Sequence, residues 1–142
     1  MKTPGEFAIK IIGSAPLEDL RALYLETGWV RPDEKVPPSV FEKILAQSFC
    51  FVGVFDNGRL IGMGRALSDG VSDAYIQDVT VLKVYRKQGL GKKIIKTLID
   101  ELHTRGIGWI GLIAEPGTSE FYIDLGFKTM EHYTPMLLRS EK

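Results

Sequence analysis

The chain has 142 residues, 44% hydrophobic and 25% charged, which fits one ordinary globular domain with room for a core that needs no disulfide or structural metal. Lys plus Arg equals Asp plus Glu, 18 against 18, and this excludes the broad positive field of a protein built mainly to grip nucleic acid. No apolar run approaches the ~20 residues of a membrane span, the N-terminus lacks the apolar stretch of a secretory signal, and the single Cys50 suits a reducing compartment, so the expectation is a cytoplasmic protein with neither membrane nor nucleic-acid partner.

Taken in order, Phe7 to Ile12 alternates as a strand does, and Ala15 to Thr27 carries Leu17, Leu20, Leu23 and Tyr24 at helical spacing before Gly28 stops it. The stretch W-V-R-P-D-E-K-V-P-P-S has three prolines and mixed charge, so it reads as a loop leading to a short helix over Ser39 to Gln47. Phe49 to Phe55 and Arg59 to Leu67 flank Asp56-Asn57-Gly58, a hairpin signal because Asn and Gly tolerate the positive φ of a tight turn. A second turn at Asp69-Gly70 leads into Ala74 to Leu82 and completes an antiparallel meander.

Between Gly91 and Arg105, Ile94, Ile95, Leu98, Ile99 and Leu102 share one helical face, which predicts an amphipathic helix laid on a sheet. Gly106 and Gly108 end it, and the apolar run Trp109 to Ile113 is expected to be a buried strand parallel to the one before the helix. Ser119 to Leu125 predicts a short helix closed by Gly126, and Phe127 to His132 and Thr134 to Arg139 are expected as two final strands. The whole order predicts a single domain, residues 1–142, folded as an α/β sandwich with a mixed sheet.

The stretch R-K-Q-G-L-G, residues 86 to 91, joins a strand to the long helix. At a helix start the first N–H groups have no partner and the dipole adds about half a positive charge. Glycines at 89 and 91 allow close backbone approach, and Arg86, Lys87, Lys92 and Lys93 add charge, so the turn suits an anion. A permissive helix start with solvated lysines fits equally well on these grounds alone. A P-loop is rejected because Arg86 and Lys93 stand where a glycine and a Ser or Thr are required. A dinucleotide fingerprint fails at Ile94, where a third glycine should be, and at the antiparallel meander that precedes it.

R86-K-Q-G-L-G91 resembles the [QR]-x-x-G-x-[GA] segment of the GNAT superfamily of acyl-CoA-dependent N-acetyltransferases, and E-F-Y-I-D-L-G-F, residues 120 to 127, is similar to its F-Y-x-x-L-G-F segment. The element order resembles that family along nearly the whole chain, best from Ile76 to Lys128. The resemblance implies a GNAT-like three-layer sandwich with a mixed, splayed central sheet flanked by helices. It also implies acetyl-CoA as co-substrate, no metal, and transfer of acetyl to a primary amine by direct attack. A small molecule is preferred to a protein as acceptor. An acyl-CoA-binding sensor or regulatory module that has lost catalysis is the alternative.

Carried over by position, the resemblance gives the pyrophosphate to Arg86, Lys87, Gln88, Gly89, Leu90, Gly91 and Lys92, and the pantetheine arm to Val79, Thr80 and Val81. Tyr122 matches the position that protonates the departing thiolate, a role that its ordinary pKa near ~10 permits. Asp78 and Glu115 are the two candidates for the base. Asp78 lies on a strand, Y-I-Q-D-V-T-V, similar to one in the small aminosugar-phosphate acetyltransferases of the superfamily. Glu115, followed by Pro116 and Gly117, stands where many members carry Asn. Trp29, Asp33 and Glu34 could line an amine pocket or simply solvate their loop. His103 and His132 have no partners at metal-ligand spacing. Cys50 reads as a core residue, and the apolar segment T-P-M-L-L-R could pair across a homodimer.

Overall fold

The computed structural model describes residues 6–140. The elements run β1 (Ala8–Ile11), α1 (Leu17–Thr27), α2 (Pro38–Gln47), β2 (Cys50–Asp56), β3 (Arg59–Ser68), β4 (Asp73–Val81), a 3-10 turn (Lys83–Tyr85), α3 (Leu90–Thr104), β5 (Trp109–Leu112) and α4 (Ser119–Asp124). The strands form one open, mixed sheet in the order β1-β2-β3-β4-β5, with β1 to β4 mutually antiparallel. The chain divides after Gly111 into two compact units.

In the first unit the sheet is covered on both faces. Gly64 directs its Cβ position at Ile94 and Leu98 of α3, whereas its strand neighbour Arg65 lies with Asp78, which Tyr24 of α1 also reaches. Successive strand residues point to opposite faces, so α3 takes one face and α1 the other. On α3, Leu90, Ile94, Ile95, Leu98 and Leu102 are buried. Each such side chain contributes about 1.5–3 kcal/mol by leaving water, well above the ~0.7 kcal/mol span of helix propensity among ordinary residues. Packing therefore decides that this segment is a helix. Helix α1 is also stitched to the sheet by polar contacts: Asp19 accepts from the Leu60 N–H at 3.1 Å, and Glu26 accepts from the Lys83 N–H at 3.1 Å.

The Asn57-Gly58 hairpin forms as expected, with φ of 49° and 85° at those two residues. Beside it, Tyr85 donates its hydroxyl to Asp56 Oδ2 at 2.6 Å, tying the hairpin tip to the 3-10 turn. Pro38 opens α2 at its first turn, where a missing N–H costs nothing. The 3-10 turn was not foreseen, because three residues carry no periodicity to read.

In the second unit, α4 forms as expected, but the two final strands do not. Residues 127–140 contain no strand; a turn brings the Tyr133 N–H to the Met130 carbonyl at 3.3 Å. Pro135 removes a ladder donor, and Met136, Leu137 and Leu138 are consecutive instead of alternating, so no face is defined. Those three side chains are 80–90% exposed.

Candidate active site

The turn before α3 is built by two residues in the left-handed region, Lys87 at φ 66° and Gly89 at φ 80°. Their conformation turns the chain sharply into the helix. Among the described residues, the N–H groups of residues 87 to 92 meet no protein acceptor; Lys93 is the first to do so, at 3.2 Å from the Gly89 carbonyl. Arg86 is turned back on the strand, its Nε donating to the Val81 carbonyl at 2.8 Å, and Gln88 donates to the Tyr85 carbonyl at 3.0 Å. These two side chains hold the turn in shape, while the row of N–H groups of Lys87, Gln88, Gly89, Leu90, Gly91 and Lys92 is the feature suited to an anion. The residues present therefore fit a pyrophosphate.

Strand β4 is irregular just upstream. Thr80 pairs with Met63 and Gln77 with Arg65, so three steps on β4 oppose two on β3. Asp78 sits in this bulge with φ 57°, a region that Asp enters more readily than most residues. The bulge re-aims its side chain. Asp78 Oδ2 accepts from the Tyr24 hydroxyl at 2.7 Å and from Arg65 Nε at 2.8 Å, and Arg65 Nη1 donates to Ser48 Oγ at 3.3 Å. Asp78 and Arg65 are only 20% and 13% exposed. Val79, Thr80 and Val81 continue β4 from the bulge to the turn, with Val79 near Gly64 and Val81 buried. A groove of about 320 Å³ opens beside this network between α2 and β3, lined by Val40, Lys43, Ile44, Gln47, Arg65 and Leu67.

Tyr24 and Arg65 were not picked out from the sequence. Tyr24 was assigned to a core face, which it also occupies, packing edge-on against Trp29 at 5.9 Å. Arg65 was legible in principle: one cation in the otherwise apolar run L-I-G-M-G-R-A-L has to find a buried partner. Burial, then the hydrogen bond and negative charge of Asp78, push the Tyr24 hydroxyl far above its ordinary range, so it stays a donor. Asp33 pairs with Arg31 at 3.6 Å, and Glu34 accepts from the Arg31 N–H at 3.2 Å, so both serve the local turn of their loop.

In the second unit, Tyr122 is half-buried on α4, edge-on to Phe121 at 5.0 Å and to Phe127 at 5.8 Å. Burial first, and the Glu115 carboxylate second, raise its hydroxyl above the usual tyrosine value. Glu115 thus acts on Tyr122 electrostatically within this unit. Among the described residues no group of three His, Cys, Asp or Glu is placed to hold a metal, and no helix is long and apolar enough to cross a membrane.

The Acetyltransferase (GNAT) family model matches residues 16–127. The chain belongs to this family. Among GNAT relatives, it is 38% identical over 123 residues to Histone acetyltransferase TAP1 of Glycine max, covering 82% of this chain and 53% of that protein. It is 32% identical over 111 residues to GCN5-related N-acetyltransferase 1, chloroplastic, of Arabidopsis thaliana, covering 78% and 55%. The chain thus spans about half the length of these curated GNAT relatives. A putative acetyltransferase from Deinococcus radiodurans R1 superposes with a TM-score of 0.80 at 25% identity, covering 98% of this chain and 92% of that one. The three-layer GNAT architecture is shared with such neighbours.

Proposed function

We propose that the chain is an N-acetyltransferase that moves the acetyl group of acetyl-CoA to a primary amine. The observation that carries this reading is the turn before α3: six successive N–H groups without protein acceptors, at the positive end of a 15-residue helix, in a chain of the GNAT family. Such a row suits the negative charge of a pyrophosphate. The backbone of Val79, Thr80 and Val81 is given to the pantetheine arm by the same likeness.

In the reaction the neutral amine nitrogen attacks the thioester carbonyl, the C–S bond breaks, and the amine proton and the thiolate must both be dealt with. Asp78 takes the role of proton acceptor, its carboxylate oriented by the Tyr24 and Arg65 donors on Oδ2. Tyr122 supplies a proton to the departing sulfur, and Glu115 supports it by keeping the phenol protonated. A small-molecule amine is the acceptor class proposed. Thiol release from acetyl-CoA, measured with a panel of small amines and lysine peptides, tests the reading. Tight CoA binding without thiol release for any amine would overturn it in favour of an acyl-CoA sensor.

A further inference from the structure

We propose that Tyr24 and Arg65 are positioning residues for this transfer, fixing the Asp78 carboxylate so that Oδ1 alone receives the amine proton. The proposal rests on the acetyltransferase reading above. Both donors converge on one oxygen: the Tyr24 hydroxyl and Arg65 Nε reach Oδ2 at 2.7 and 2.8 Å. Among the described residues both hydrogen bonds to the carboxylate go to Oδ2 and none to Oδ1, and the Asp78 side chain keeps 20% of its surface exposed. An ion pair with only a structural role gains most from the two-pronged arrangement in which Arg satisfies both carboxylate oxygens. Here one oxygen is saturated and its twin is left open, an asymmetry that suits a group required to take up a proton.

The surroundings agree with that division. Asp78 occupies a bulge in the left-handed region, immediately before the three β4 residues given to the pantetheine arm. Strain of this kind persists only where neighbours hold it, and Tyr24 from α1 and Arg65 from β3 are those neighbours. Arg65 is in turn steadied by Ser48 at the end of α2, and Tyr24 by ring contacts with Trp29 and with Phe41 at 5.7 Å. Donors from two elements, α1 and β3, thus converge on a single carboxylate oxygen. A carboxylate free to rotate would lose the orientation that makes proton transfer efficient.

The test is a double-mutant cycle in the full chain with the best amine of the panel. Tyr24→Phe and Arg65→Gln should each lower kcat about tenfold while the acetyl-CoA KM stays unchanged, because neither residue contacts the donor. In the Asp78→Asn background the same substitutions should change kcat less than twofold, since they act through Asp78. Arg65→Lys should recover part of the Arg65→Gln loss. If Arg65→Gln fails to fold, Tyr24→Phe, which keeps the ring and the ion pair, completes the cycle alone. Equal losses in both backgrounds would overturn the positioning role while leaving acetyl transfer standing. A wild-type chain that releases no thiol with any amine would overturn acetyl transfer itself, and this proposal with it.

Discussion

Ile94 fills the space that a side chain on Gly64 would need: a Cβ built on Gly64 lies 2.5 Å from Cγ2 of Ile94, with Val79 and Leu98 at 3.2 and 3.3 Å. Helix α3 can lie this close to β3 only over a bare backbone. Gly64→Ala should therefore destabilise the fold by about 1–3 kcal/mol through overpacking. Urea unfolding should show a lower midpoint at unchanged slope, and Ile94→Leu in the same chain, which removes the Cγ2 methyl, should restore part of the loss.

Gly89 poses a different constraint. Nothing lies within 4 Å of its Cβ position, so an alanine there meets no neighbour and is opposed only by φ of 80°. The expected cost is about 1–2 kcal/mol of backbone conformation. Relaxation of the turn would also misalign the N–H row. Calorimetric titration with acetyl-CoA should show roughly tenfold weaker binding for Gly89→Ala, equivalent to about 1.4 kcal/mol. Unchanged affinity would remove this turn from the donor site.

Tyr122→Phe should keep acetyl-CoA affinity and lose about a hundredfold in kcat, the ordinary range for a missing general acid. The pH dependence has a definite sign. Burial and Glu115 raise the phenol above its usual value, so the proton is retained on the alkaline side and the high-pH limb of kcat should lie above pH ~10. Glu115→Gln should bring that limb down. In the folding equilibrium the unfolded chain loses the phenol proton first, so this group favours the folded form fully below pH ~10 and the preference is lost as pH rises through the folded value.

Cys50 is buried on β2, and desolvation, followed by the nearby Glu101 carboxylate, pushes its thiol up to about 11. Almost no thiolate exists at pH 8. Ellman's reagent should accordingly leave the native chain unlabelled over minutes and label one thiol per chain once denaturant is added. Fast labelling of the folded protein would contradict the burial.

The helices, the meander and the glycine turn before α3 were legible because each rests on a local pattern: 3.6-residue periodicity in α1 and α3, apolar runs in β2 and β3 on either side of Asn57-Gly58, and Gly89 with Gly91 at the turn. The Asp78 network was not. It depends on a one-residue bulge that brings together Tyr24, Arg65 and Asp78, residues up to 54 positions apart, and no local pattern encodes such a meeting. The final segment misled for the opposite reason. T-P-M-L-L-R has strand-like composition, but strand formation requires a neighbour to pair with and a face to bury. The site geometry followed the same division: the shape of the turn at Lys87 to Lys92 is written in its glycines, whereas the partners of Asp78 are two distant donors.

The contact between Tyr85 and Asp56 bears on how this protein can be engineered. A two-residue hairpin tip such as Asn57-Gly58 is ordinarily a permissive place for tags or grafted peptides. Here the residue that precedes the tip holds the hydroxyl of Tyr85 at 2.6 Å, only four positions before Gly89. A peptide grafted into the tip would tug on the turn before α3, the proposed seat of the donor's phosphates, so affinity for acetyl-CoA is expected to change although the graft lies some thirty residues upstream in sequence. Labels for immobilisation or fluorescence belong elsewhere, such as the exposed Asp69 to Ser72 turn, which is closed by its own hydrogen bonds.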